Sequence, residues 1–219
     1  QNGLITTIGI SMKDKLNYAL EGSVFIAGAA IQWLRDGLKI IKRAPDSEKA
    51  AWDVRDSLDV VVVPAFVGLG APYWDMYARG AIFGLTRDAT DKHLIKATLE
   101  SLAYHTRDIL EAMQKDAGYE LKTLKVDGGA VANDYLMQFQ ADILESEVER
   151  PAVIESTAQG AAYLAGIYSG LWTMNDISAF RELDAVFKPA KPTEEVNMLY
   201  AQWKKAVKRT MNWIETDNQ

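Results

Sequence analysis

The sequence contains no cysteine. A disulfide framework, a thiolate nucleophile and any cysteine-based zinc or iron–sulfur site are thereby excluded, and the chain suits a reducing compartment. Histidine is nearly absent too: His93 and His105 are the only two. A His-rich metal site or a catalytic histidine pair would have to be built from these alone. No stretch approaches the roughly 18 consecutive apolar residues of a membrane span. The start, Gln1-Asn2-Gly3-Leu4, has neither an initiator Met nor a basic-then-apolar signal pattern. The chain reads as cytoplasmic and, because its first segment is strand-like with no lead-in, as cut from something longer. A basic excess is lacking: the formal charge is −6 over 219 residues, which argues against a general nucleic-acid binder. The Walker A pattern is missing as well. Neither Gly68-Leu69-Gly70 nor Gly128-Gly129 is followed by Gly-Lys-Ser/Thr, so a P-loop enzyme is excluded.

What is present is ample apolar content, 48% of residues, enough for one large domain or two small ones with a substantial core. Leu4 to Gly9 and Tyr18 to Glu21 read as short strands joined by the polar turn Met12-Lys-Asp-Lys15, an opening hairpin. From Phe25 to Ile41 apolar residues recur at helical spacing, with Ser23 as N-cap candidate. Val60 to Val63 is a β-branched run of the kind buried on both faces of a sheet. A Gly/Pro/aromatic loop follows over Phe66 to Arg79, then a short strand at Gly80 to Gly84 and a long amphipathic helix from Asp91 to Ala117. Strands at Leu121 to Val126, Val148 to Ile154 and Asp184 to Phe187 alternate with helices at Asp134 to Leu144, Ala158 to Gly166 and Glu194 to Ile214. The helix Ala158 to Gly166, rich in Ala and Gly, is expected to pack closely on a sheet. This order predicts an α/β fold, a mixed sheet covered by helices on both faces.

Two places combine glycine with a helix. At Val126-Asp127-Gly128-Gly129-Ala130-Val131-Ala132-Asn133 adjacent glycines end a strand and precede a helix. Such a turn lets a ligand touch bare backbone while the helix offers unpaired N–H groups and its positive dipole end to a phosphate. An ordinary strand-to-helix turn capped by Asn133 explains the same residues. Gly28 and Gln32 lie four apart on the first helix, away from the Ile31/Leu34/Leu38 stripe. Glycine there costs roughly 1 kcal/mol relative to alanine, which calls for helix–helix contact, the simpler reading, or for a flat ligand with Gln32 at its edge. Asp75 and Arg79 are suited to pair and stiffen the aromatic loop. His93 and His105 read as structural, and Lys204, Lys205, Lys208 and Arg209 as a solvated face complementing a helix dipole.

Taken together, several long segments resemble the C-terminal half of the ATP-dependent carbohydrate and polyol kinases. They are Tyr18-Ala-Leu-Glu-Gly22, Ala27-Gly-Ala-Ala-Ile-Gln-Trp-Leu-Arg35, Gly68-Leu-Gly-Ala-Pro-Tyr-Trp-Asp75, Tyr77-Ala-Arg-Gly-Ala-Ile-Phe-Gly-Leu-Thr-Arg87, Val126 to Asn133 and Gly160-Ala-Ala-Tyr-Leu-Ala-Gly166. The family's second signature fits Gly80 to Glu100. The resemblance implies an actin-like, ribonuclease-H-like domain, with residues 1–219 as the nucleotide-binding C-terminal domain of a two-domain kinase. It implies ATP or ADP bound at Gly28, Gln32, Gly129 and Asn133, with Mg²⁺ on the phosphates. The wording of Gly68 to Arg87 favours glycerol as acceptor, giving glycerol 3-phosphate, and the full-length form is expected to be a homo-oligomer. Catalytic and acceptor-binding residues are expected upstream of Gln1, no metal ligand is assigned here, and residues 1–219 alone are expected to bind nucleotide weakly without transferring phosphate. A kinase for another polyol or sugar, or a non-enzymatic actin-like nucleotide module, accounts for the same motifs.

Overall fold

The computed structural model describes residues 2–12 and 15–215. Strands β1 (Ile5–Met12) and β2 (Lys15–Glu21) form the expected antiparallel hairpin, with Ile8 opposite Tyr18 and a bulge between Ile8 and Ile10. Positions 13 and 14 of its turn lie outside the described residues. Helix α1 (Gly28–Gln32) is shorter than the expected helix and is capped by Ala27 without a side-chain bond, so Ser23 is not its cap. From Trp33 to Gly37 the chain widens into a π-helix, closed by the Leu38 N–H donating to Trp33 O at 2.9 Å. Gly37 permits this, since a Cβ there would lie 2.8 Å from Trp33 Cδ1. Such widened turns occur mostly at functional sites.

Helix α2 (Asp46–Trp52), too short for a periodic signal, follows Pro45. Strands β3 (Val61–Val63) and β4 (Ala81–Phe83) pair antiparallel, and β3 is buried on both faces as its valine run predicts. The loop between them is stiffened by Asp75, though not through Arg79. Asp75 accepts the N–H groups of Tyr77 (2.8 Å), Ala78 (3.1 Å) and Asn212 (2.7 Å). Arg79 donates instead to the carbonyls of Met76 and Ala78.

Helix α3 (Asp91–Ala117) matches its predicted bounds. Its ends explain why: the Thr90 N–H donates to His93 Nδ1 at 3.1 Å, and Gly118 at φ +72° stops the helix with its N–H on Gln114 O. His93 is thus a capping residue. Around α3 the core assembles from α1, α2, β3, α4 (Asp134–Leu144) and α7 (Thr193–Thr210). Trp203 of α7 is fully buried, its ring stacked on Tyr104 at 5.4 Å.

The mixed sheet is three-stranded: β5 (Thr123–Lys125) runs parallel to β6 (Glu147–Pro151), which pairs antiparallel with β7 (Leu183–Phe187). The remaining strands form two separate pairs. Helix α5 (Ser156–Tyr168) departs from expectation. Only its Gly166 is buried, against Trp172, and Tyr168 is 95% exposed. Close packing on a sheet is therefore not what its small residues serve here. An apolar helix left bare is unusual. The hairpin shares the trait, with Ile8 59% and Tyr18 67% exposed. Helix α6 (Met174–Ala179), absent from the sequence reading, starts at a Thr173/Asp176 capping box.

His105 is buried on α3, 4.8 Å from the Trp203 ring, and its Nδ1 has no hydrogen-bond partner. It is structural as expected, but unsatisfied. Burial pushes its pKa down to about 4 while the neighbouring Asp108 charge resists. Because the folded value lies below the unfolded one, the unfolded chain binds the proton first as pH falls. The contribution is complete above about pH 6.5 and fades toward pH 4, amounting to at most about 3 kcal/mol. We expect urea midpoints to fall between about pH 7 and pH 4.5, and His105→Leu to flatten the slope in that window; an unchanged slope would count against the assignment.

Candidate functional site

The glycine turn joins β5 to α4, with Gly128 half-buried and Gly129 exposed. Gly128 sits at φ +87°, ψ 170°, a conformation all but reserved for glycine, and its N–H donates to Ile154 O at 2.8 Å. A 3₁₀ turn over Gly129–Ala132 then intervenes before α4, a step that periodicity does not reveal. The first bond of this turn runs from Val131 N–H to Gly128 O at 3.2 Å. The Gly129 and Ala130 amides precede it and have no acceptor within the turn. A Cβ built at Gly128 or Gly129 meets nothing within 4 Å.

Asn133 is the N-cap of α4: its Oδ1 accepts the Leu136 N–H at 2.9 Å and its Nδ2 donates to Ser47 Oγ at 3.3 Å. Glu48 Oε2 accepts the Asp134 N–H at 3.0 Å. The expectation that α4 offers unpaired amides to a phosphate is narrowed, because the protein's own side chains already hold the Asp134 and Leu136 donors. Among the described residues the Gly129 and Ala130 amides, one turn earlier, are without an acceptor. Asn133, only 8% exposed, ties the turn to α2 through Ser47.

On α1, Gly28 and Gln32 are both exposed, and a Cβ at Gly28 meets nothing within 4 Å. Helix–helix contact, the simpler explanation of this glycine, is not what the structure contains. Among the described residues no hydrogen bond joins Gly28 or Gln32 to Gly129 or Asn133, and α3 packs against both α1 and α4, with α2 between α3 and α4. Below the turn, Asp127 accepts a short hydrogen bond from Ser156 Oγ, and a cavity of about 430 Å³ opens between β5 and α5, bordered by Lys125, Asp127, Gln159 and Arg181.

Sequence reasoning missed Ser47, Glu48 and Arg150. The Arg150 guanidinium, 13% exposed, donates Nη1 to Val131 O (2.9 Å) and to Asp134 Oδ1 (2.7 Å), and Nε to Asp184 Oδ2 (2.7 Å). Burial opposes its charge, yet the two carboxylates prevail and hold its pKa above the usual arginine value. A charged residue midway along a strand is the only signal the sequence carried. The four basic residues of α7 divide: Lys205, Lys208 and Arg209 are solvated as expected, while Lys204 reaches Asp108 and the Tyr73 hydroxyl.

A nucleotide's fit can be judged from these positions. Open space beside Gly28 and Gly129 leaves room where side chains would stand, and unpaired amides at a helix start are suited to anions. Among the described residues there is no cluster of three acidic or histidine side chains fit to hold a metal. Mg²⁺ that arrives on phosphates does not require one. No helix among them is long and apolar enough to cross a membrane.

An α/β domain of this architecture is that of the sugar kinases, with the actin-like ATPase fold. The crystal structure of Plasmodium falciparum glycerol kinase with ADP superposes with a TM-score of 0.87 at 36% identity, covering 98% of this chain and 43% of that one. The FGGY family of carbohydrate kinases, C-terminal domain, matches residues 1–169, and the chain belongs to that family. Glycerol kinase of Caldanaerobacter subterraneus subsp. tengcongensis is 61% identical over 216 residues, covering 98% of this chain and 44% of the relative. Glycerol kinase of Fusobacterium nucleatum subsp. nucleatum is 60% identical over 215 residues, covering 98% and 43%. The chain thus spans less than half the length of the relatives it matches.

Proposed function

We propose that residues 1–219 are the nucleotide-binding C-terminal domain of a two-domain, ATP-dependent glycerol kinase. The observation that carries this reading is identity near 60% along 98% of the chain with proteins named glycerol kinase. The bare apolar faces of the hairpin and of α5 support a longer protein, since such surfaces are normally covered by further polypeptide.

In this reading Gly28 and Gln32 take the adenosine end and the Gly129–Ala130 amides take phosphate oxygens, with Asn133 holding the turn. Mg²⁺ carried in on ATP would neutralise phosphate charge as the γ-phosphoryl group passes in line to a terminal hydroxyl of glycerol. The acceptor, the carboxylate that receives its proton and the opposite wall of the cleft belong to the preceding domain. Closure of the two domains excludes the water that would hydrolyse ATP. The full-length enzyme works in the cytoplasm as a homo-oligomer.

The test is a coupled assay on the full-length protein. Glycerol 3-phosphate should form only with ATP and Mg²⁺, while residues 1–219 bind ADP weakly and form none. Preference for xylulose or gluconate over glycerol would overturn the acceptor assignment, and no ADP binding by the full-length protein would overturn the whole.

A further inference from the structure

The glycine turn is held from two sides. On one, Ser47 and Glu48 of α2 bond Asn133 and the Asp134 N–H. On the other, Arg150 of β6 bonds Val131 O within the 3₁₀ turn and the Asp134 carboxylate at the head of α4. That carboxylate is a liability for phosphate binding. It is 55% exposed and stands two residues past the Gly129–Ala132 turn, where a negative charge repels an incoming anion. Arg150 sits against it at 2.7 Å with three of its contacts on oxygen, and its planar fork spans acceptors that an ammonium cannot reach together.

We propose that Arg150 is a positioning residue of the nucleotide platform: it fixes the 3₁₀ turn through the Val131 carbonyl and neutralises Asp134, so that the Gly129 and Ala130 amides can donate to the phosphate oxygens of ATP. The inference rests on the function proposed above. A different role is open to the same side chain, since its bond to Asp184 and its guanidinium 5.2 Å from the centre of the Phe187 ring staple β6 to β7. The two roles separate in kinetics.

In the full-length enzyme, Arg150→Met should raise KM for ATP and the ADP dissociation constant about tenfold, with kcat and KM for glycerol within about twofold. Adding Asp134→Asn should recover most of that loss, because the uncompensated carboxylate is gone. Arg150→Lys should fall between, and Asp184→Asn, which touches only the staple, should leave KM for ATP unchanged. If Arg150→Met does not fold, Arg150→Lys and Asp184→Asn carry the same contrast. An Arg150 variant that folds with unaltered ATP and ADP affinity overturns the inference. So does a loss shared by kcat and both KM values that Asp134→Asn does not relieve. Should the wild type itself fail to bind ADP, the function proposed above falls and this inference with it; a wild type that binds and an Arg150→Met enzyme that binds equally well would sink this inference alone.

Discussion

Gly129→Val in the full-length protein is expected to weaken ADP binding by at least roughly thirtyfold, about 2 kcal/mol, while leaving unfolding free energy within about 0.5 kcal/mol of wild type. The separation follows from what surrounds the residue. Gly129 is exposed, its φ is not positive, and a Cβ added there touches no protein atom within 4 Å. The valine side chain costs the fold little because it enters space that the protein does not use. In the proposed function that space is occupied by phosphate oxygens seated on the Gly129 and Ala130 amides. Gly128→Ala makes the contrast. At φ +87°, ψ 170° any side chain strains the backbone, so about 1–3 kcal/mol of stability should be lost. Calorimetric titration with ADP and urea unfolding read the two quantities, and wild-type ADP affinity in the valine variant would remove the turn from the site.

Replacing Asp108 by alanine should be the most damaging single change to stability, about 3–5 kcal/mol. Its side chain is fully buried on α3, where it accepts from the Tyr200 hydroxyl (2.6 Å), Trp203 Nε1 (2.8 Å) and Lys204 Nζ (3.2 Å). Each donor lies on α7, so one carboxylate joins helices more than ninety positions apart in sequence. Alanine strands two donors away from water, and their desolvation is then unrepaid. Asp108→Asn keeps the shape and one acceptor oxygen and should lose less. Denaturant midpoints with an unchanged m-value would report stability alone, and a loss below about 1 kcal/mol would mean that water replaces the carboxylate.

Much of this architecture could be read from residue order. Helices α3 and α4 fall on their predicted bounds because each has both a regular apolar stripe and a chemical stop: Thr90/His93 and Gly118 for α3, Asn133 and left-handed Glu145 for α4. The valine run of β3 announced a strand buried on both faces. The first helix was misjudged because a π-turn keeps the apolar spacing while ending the α-helical bonds, and the glycine that allows it looks like any other. Helices α2 and α6 are too short for periodicity to register. At the candidate site, Gly28, Gln32, Gly129 and Asn133 were legible as positions, and the exposure of the first three agrees with an open surface. Asn133 as the cap of α4 was legible too, but the side chains that reach Asp134 from elsewhere were not. Glu48 and Arg150 arrive from remote segments, 86 and 16 residues from Asp134, and no local pattern announces such meetings.

The family match ends at residue 169, yet the core is closed by α7, which begins at Thr193. Removing α7 would leave every proposed nucleotide contact in place and strip the Trp203 ring from Tyr104 and His105. Such a product should be cleared by quality-control proteases, so an allele that stops translation ahead of α7 would behave genetically as a full loss and not as a mild variant.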